Sequence, residues 1–275
     1  MTPRERVAVG LRLIERRDRP PVRVVLIASI PRSGSNLLCR GLAASGAVGQ
    51  PYEALNSADI LRTARRWGTP SVRPWNLLPS VRQRQLAATR HLWYPFDGRS
   101  LRRYLLMVAR RRQSPNGVFA MKIHGEHLAH TMEHHGIGTD VWGAPVTWIR
   151  IGRHDLVAQA VSLTRASQTR QFLAHQRAVA EPHYDAAAIR TNLQRIEDET
   201  AYWDHYFATI GDQPIEVWYE DLAADPQGEL RRILDALGYP DAPAPPAQIP
   251  RQGDQLNRDW IERFLAEDHG STHST

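Results

Sequence analysis

Apolar and polar positions along the chain switch repeatedly between two periods. Val22-Arg23-Val24-Val25-Leu26-Ile27-Ala28-Ser29 follows the breaker Pro20-Pro21 as a nearly continuous β-branched run, the pattern of a strand buried on both faces. Beyond the turn at 30–35, Asn36 to Ser45 carries apolar residues at helical spacing and stops at Gly46. Val118 to Ile123 and Pro145 to Ile151 read as further strands, followed by helical patterns that begin near Glu126 and Asp155. A fourth strand is expected at Pro214 to Tyr219, between a long amphipathic helix at Ile189 to Ile210 and a helix at Pro226 to Leu237 closed by Gly238 and Pro240. This alternation predicts βαβ units, hence an α/β fold with a central, mostly parallel sheet flanked by helices.

Between the first two strands, residues 57–67, 79–90 and 99–112 read as arginine-rich helices with Pro-containing connectors, a helical insertion over 57–112. The Pro/Ala-rich stretch Pro240 to Pro250 predicts an extended loop before a terminal helix at Asp254 to Glu267. Residues 1–20 form a basic N-terminal segment and 268–275 a tail expected to be disordered. No internal repeat or compositional break divides the chain, so residues 1–275 are expected to form a single domain.

The composition, 42% hydrophobic and 23% charged over 275 residues with a mean hydropathy of −0.46, is that of an ordinary globular protein. The apolar run ending at Ile30 is too short to span a bilayer, and neither a transmembrane helix nor a signal peptide is expected. Cys39 is the only cysteine, which rules out an internal disulfide or a multi-cysteine zinc site and fits a reducing cytoplasm. Charge changes the picture more. A net +6 and a pI near 9.9 point to phosphate, sulfate or an anionic surface as partner. Arginine supplies every one of the 35 basic residues except Lys122, so a compact ammonium stands at one position of the chain.

The most informative stretch is Ser29-Ile30-Pro31-Arg32-Ser33-Gly34-Ser35-Asn36. A strand leading through a short Gly/Ser loop into a helix gathers free backbone N–H groups and the positive end of the helix dipole at one point, an anion cradle. Arg32 adds a fixed charge; Ser33 and Ser35 add hydroxyl donors. It is not the triphosphatase motif G-x-x-x-x-G-K-[ST], since Asn36 stands where the lysine belongs.

Ile30 to Leu38 resembles the 5′-phosphosulfate-binding loop of sulfotransferases that use 3′-phosphoadenosine 5′-phosphosulfate (PAPS). Pro51-Tyr52-Glu53, Arg153 to Leu163 and Trp218-Tyr219-Glu220-Asp221-Leu222 narrow the resemblance to the bacterial carbohydrate sulfotransferases of the trehalose sulfotransferase type. These matches fall in order across most of residues 22–266. The resemblance implies a P-loop-NTPase-like sulfotransferase fold, PAPS as donor and no metal. It places Arg32, Ser33, Gly34, Ser35 and Asn36 on the 5′-phosphate and sulfate end and Arg153 and Ser162 on the 3′-phosphate. Arg251, with Gln252 beside it, occupies the place of the loop that closes over the nucleotide. A homodimer is implied by the resemblance alone. Ser162 lies nine residues past Arg153, about two and a half helical turns, so the two can meet one phosphate only if the chain bends or the helix starts late.

Two bases compete for the acceptor's proton. The resemblance puts the family's glutamate at Glu53, whereas Lys122-Ile123-His124 resembles the Lys-x-His of animal cytosolic sulfotransferases, in which the histidine is the base. Residues two apart on a strand share a face, so Lys122 and His124 can enter one cleft together. The neighbouring motifs are of the glutamate type, which favours Glu53 and leaves Lys122 to neutralise charge on the sulfate or leaving phosphate.

His127, His130, His134 and His135 crowd one expected helix after the second strand, with 127, 130 and 134 on one face, but the order is not H-E-x-x-H and no ligand set accompanies it, so no metal is expected. Tyr202, Trp203, Tyr206 and Phe207 are expected to be core. A kinase or other phosphotransferase sharing the loop would need the missing lysine and magnesium; a nucleic-acid binder would need a helix-turn-helix or RRM signature that is absent. The expectation is therefore transfer to a hydroxyl of a carbohydrate, glycolipid or small natural product, without nucleic acid or integral membrane contact. Trp67, Trp75, Trp93 and Tyr94 in the helical insertion are candidates for the acceptor pocket.

Overall fold

The computed structural model describes residues 19–56, 60, 63, 97–172, 176–245 and 255–272. Four strands, β1 (Arg23–Ser29), β2 (Val118–His124), β3 (Val146–Gly152) and β4 (Ile215–Trp218), pair in the order β2-β1-β3-β4, and every pair is parallel. The helices in chain order are α1 (Ser35–Ser45), α2 (Gly98–Arg112), α3 (Gly125–His130), α4 (Leu156–Thr169), α5 (Ala186–Ile210), α6 (Tyr219–Ala224), α7 (Pro226–Ala236) and α8 (Gln255–Thr272).

The unbroken apolar run of β1 pays off in the packing, since Val24 through Ala28 are fully buried and alternate between two cores. Val24, Leu26 and Ala28 face a layer built with α2, α4, α5 and α8, including Tyr104, Leu163, Trp203 and Trp260. Val25 and Ile27 face the other layer, with Leu38 and Leu42 of α1 and Ile233 and Leu234 of α7. Because the chain leaves β1 for β2 on one side and reaches β3 on the other, the crevice beyond the carboxyl ends of β1 and β3 is the topological switch point, where α/β sheets bind ligands.

Aspartates set several helix starts: Asp97, Asp155, Asp185 and Asp225 each accept from a backbone N–H three residues on. Some expectations need correction. The sequence between the first helix and Glu53 suggests a short strand, but Gly49 and Gln50 donate to the Val118 and Arg112 carbonyls without joining the sheet. The histidine run is not one helix. α3 ends at Thr131, whose φ of −113° and ψ of −80° leave the helical region, and His134 and His135 sit on a separate 3₁₀ turn closed by Gly136 at φ 59°. The helix α6 was not expected, since Tyr219 reads as the end of a strand. α8 runs past Glu267 to Thr272, into the segment expected to be a disordered tail, because extending an existing helix costs far less than starting one. The segment 1–18 and the expected helices 57–67 and 79–90, with Trp67, Trp75, Trp93 and Tyr94, lie outside the described residues but for Ile60 and Thr63.

Candidate active site

Ser29, His124, Gly152 and Trp218 end the four strands at one edge of the sheet, and the loop 30–34 leaves β1 there. Gly34 caps α1 at φ 84°, and a Cβ at that position would fall well inside contact with the Tyr219 ring, so the turn requires glycine on two counts. No side chain caps α1, which leaves its first N–H groups facing the crevice. Arg32 adopts φ 66°, a left-handed conformation that costs a non-glycine residue about 1–3 kcal/mol and concentrates at functional sites. Gln159 of α4 braces the loop by donating to the Pro31 carbonyl at 2.8 Å.

The Arg32 side chain points at α4. Its Nε donates to Ser162 Oγ at 2.9 Å and Nη1 to the Phe172 carbonyl at 2.8 Å. Helix α4 starts only at Leu156, after the Asp155 cap, and this late start is what lets Ser162 and Arg153 converge on Arg32. Burial, then the charge of Arg153 and, more weakly, Arg165, press the Arg32 guanidinium below its ordinary value, with Tyr219 opposing. Arg165 escaped the sequence reading although it lies one helical turn from Ser162; its Nη1 is held 2.5 Å from Asn257 of α8. Arg153 stacks its guanidinium 4.7 Å above the Tyr219 ring, and Glu220 stays 3.8 Å from its Nε. Ser33 is 1% exposed, yet its hydroxyl, like the buried Arg153 Nε, has no hydrogen-bond partner. Clustered guanidiniums beside an unsatisfied hydroxyl and an uncapped helix start form a site that an anion would complete.

The second half of the site comes from β2 and the turn after α1. Tyr52 accepts from the Lys122 backbone N–H at 3.1 Å, and Tyr104 of α2 donates its hydroxyl to the Ala54 carbonyl at 2.7 Å, so the turn carrying Glu53 is stapled to both elements. Lys122 and His124 share a face of β2 and both reach Glu53 Oε1, at 2.6 and 3.3 Å. Lys122 Nζ also donates to Asn36 Oδ1 at 3.0 Å and lies 3.4 Å from Ser35 Oγ. The ammonium missing from the loop therefore arrives from the adjacent strand and bonds the residue standing in its place. His124 Nδ1 lies 3.0 Å from the Ser29 carbonyl, which only accepts, so Nδ1 carries a proton and Nε2 is the nitrogen presented to Glu53. Trp203 Nε1 donates to the same carbonyl.

Burial alone would raise the Glu53 pKa, but the His124 hydrogen bond and charge together with the Lys122 ammonium hold its carboxyl far below the usual range. His127, its ring tilted 5.3 Å from that of His124, is pushed down to about 3 by burial and the charge of His124, and so stays neutral. Behind this group α5 contributes Glu199, whose pKa burial pushes up to about 7. Nothing in the sequence pattern distinguished Glu199 from a surface helix residue. Among the described residues no group of three or more His, Cys, Asp or Glu is arranged to hold a metal. Nor is any described helix long and apolar enough to cross a membrane. Arg251 and Gln252 lie outside the described residues.

Residues 24–267 match the Stf0 sulphotransferase family. The chain is 29% identical over 266 residues to trehalose 2-sulfotransferase of Mycobacterium tuberculosis, covering 90% of this chain and 96% of that protein. It is also 29% identical over 268 residues to trehalose 2-sulfotransferase of Mycolicibacterium smegmatis, covering 90% and 95%.

Proposed function

The chain belongs to the Stf0 sulphotransferase family, and from that premise we propose that it moves the sulfuryl group of PAPS to a hydroxyl of a carbohydrate, trehalose being the acceptor named by its relatives. The observation that carries this reading is the position of Lys122: one ammonium bridges Glu53 to Ser35 and Asn36 at the start of α1. The anion cradle and the carboxylate are thereby the two halves of one reaction centre.

In this reading Arg153 and Ser162, with Arg165 nearby, bind the 3′-phosphate, while Arg32, the Ser33 hydroxyl and the N–H groups of 34–36 hold the 5′-phosphosulfate. Glu53 is the base in this reading, supported by its exposure: its side chain is 27% exposed, whereas that of His124 is 7% exposed. The acceptor oxygen attacks sulfur in line as Glu53 takes its proton. The bond from sulfur to the bridging phosphate oxygen breaks, and adenosine 3′,5′-bisphosphate departs. With Lys122 and His124 both upon it, Glu53 is a feeble base at rest. A donor anion competes for the Lys122 ammonium, and as that ammonium turns to the phosphosulfate the carboxylate regains proton affinity. The base is thus armed by the donor, and the same ammonium then stabilises the leaving phosphate, fixed positive charge supplying much of the acceleration.

Calorimetric titration with adenosine 3′,5′-bisphosphate, with and without EDTA, tests the donor half. Metal-independent binding that Arg32→Ala and Arg153→Ala both weaken is expected; binding of ATP with magnesium in its place would overturn the reading.

A further inference from the structure

Charge is divided unevenly along the chain. Residues 1–113 carry 22 arginines against 6 acidic residues, whereas residues 114–275 carry 13 basic against 23 acidic ones. Between Asp59 and Glu126 the only acidic residue is Asp97, and its carboxylate is committed to the Ser100 N–H as the cap of α2. Helix α2 sorts that excess. Leu101, Tyr104, Leu105, Val108 and Ala109 are buried against the core, while Arg99, Arg102, Arg103 and Arg110 are exposed and fall within an arc of about 100° on the opposite face. Arg19, also exposed, is brought beside Arg110 by Gln113, whose Nε2 donates to both backbone carbonyls.

These cations differ from arginines on other helices. On α5, α7 and α8, Arg195, Arg232 and Arg263 lie 3.6, 2.8 and 2.9 Å from a carboxylate of their own helix. Among the described residues Arg99, Arg102, Arg103 and Arg110 have no carboxylate partner. Arg99 instead faces Arg102 and Arg103 three and four residues on, where like charges repel. All three also crowd the start of α2, the end at which the helix dipole disfavours cations. The arrangement weakens the helix unless an anion faces it.

We propose that the outer face of α2 docks on an anionic lipid surface and holds the protein there peripherally. A planar array of headgroup phosphates asks only for cations on one face. A cluster of about four to eight arginines or lysines on a helix is enough to adsorb, each gaining roughly fivefold in partitioning. Guanidiniums suit the task because each can bond a phosphate through two N–H groups. The apolar side of α2 is already packed in the core, so adsorption is electrostatic and inserts nothing into the bilayer. A single-stranded nucleic acid would also want aromatic platforms, and Phe172 and Trp218, the large aromatic residues exposed among the described ones, are not on α2. None of the four arginines belongs to the reaction centre, so the inference is independent of the sulfotransferase reading.

The test is cosedimentation with phosphatidylcholine vesicles, with and without about one-third phosphatidylglycerol, in about 0.1 M and 1 M salt. Wild type is expected to partition onto the anionic vesicles alone and to be released at the higher salt, where the screening length falls to about 3 Å. Combining Arg99→Gln, Arg102→Gln, Arg103→Gln and Arg110→Gln should cost roughly 100- to 1000-fold in partitioning, and Arg102→Gln with Arg103→Gln alone about 25-fold. Changing Arg40, Arg177, Arg232 and Arg258 to glutamine removes the same charge from other exposed positions and should cost less than about 10-fold. Circular dichroism reports folding, and should the fourfold variant unfold, the double variant decides. Wild type that ignores anionic vesicles, losses that follow net charge regardless of position, or duplex DNA that displaces the vesicles at equal phosphate concentration would each overturn the lipid surface. Wild type that binds the vesicles but no adenosine 3′,5′-bisphosphate upholds the docking face and removes the donor reading.

Discussion

The two halves of the crevice hold buried charge in opposite ways. Around Arg32 like charges gather: Arg153 and, more weakly, Arg165 press the Arg32 guanidinium below its ordinary value, and Glu220 stays 3.8 Å from Arg153. Around Glu53 the charges are closed on themselves, with the carboxylate engaged by Lys122, His124 and, through Oε2, Asn56. In the proposed mechanism an anion completes the first half, and the second stays closed until that anion draws Lys122 away. Lys122 touches both halves, and in the proposed mechanism that coupling lets a carboxylate held strongly ionised act as the base.

The largest break in this contrast comes from cutting the coupling. Lys122→Ala should lower the rate of sulfuryl transfer about 10²- to 10³-fold, the usual cost of one preorganised cation at a transferring group. Its bisphosphate affinity should fall far less, which single-turnover kinetics beside calorimetry will separate. Next comes Glu199, whose folded-state pKa near 7 stands above its ordinary 4.5. The unfolded chain releases that proton first, so wild-type stability should decline as pH rises from about 4.5 to 7 and stay low beyond. Glu199→Gln removes the decline and should gain up to on the order of 3 kcal/mol at pH 8 over wild type, with no gain at pH 4, in urea melts at both pH values.

A smaller effect separates charge from strain at Arg32. Arg32→Ala and Arg32→Gly should lose the same bisphosphate affinity, roughly 10- to 100-fold, because both delete the guanidinium. The glycine variant should nevertheless be the more stable of the two by about 1 kcal/mol, since only glycine relaxes at φ 66°. Equal stabilities would show that the left-handed turn carries no strain. The smallest is Asp155→Ala: removing the α4 cap should cost about 1 kcal/mol in stability and weaken bisphosphate binding only slightly, through loosened placement of Ser162.

The contrast also explains what the sequence made visible. The cradle is contiguous: a strand, a turn and a helix start within Arg23–Ser45 carry Arg32, Ser33, Gly34, Ser35 and Asn36, and the apolar run that predicts β1 also predicts where its carboxyl end must lie. Lys122 and His124 were legible because two-residue spacing on a strand puts them on one face. Their contact with Glu53 was not, since it depends on Tyr52 and Tyr104 stapling a turn to elements far along the chain. Glu53 and His124, weighed as rival bases in the sequence, lie 3.3 Å apart in the fold. Glu199 and Arg165 stayed hidden for another reason: on a helix, a charged residue turned inward has the same spacing as one turned outward, and only packing distinguishes them. The histidine cluster misled in the reverse direction, because a helical face inferred from spacing breaks where Thr131 leaves the helix.

The most direct test of the joined site is transfer of labelled sulfate from PAPS to trehalose by wild type and Glu53→Gln, measured together with bisphosphate affinity. The account predicts that wild type transfers, and that the variant loses about 10²- to 10⁴-fold in rate while binding adenosine 3′,5′-bisphosphate at least as tightly, because its Lys122 is freed for the anion. A variant that keeps its transfer rate, or that loses bisphosphate affinity in step with rate, would contradict a base coupled to the donor through Lys122.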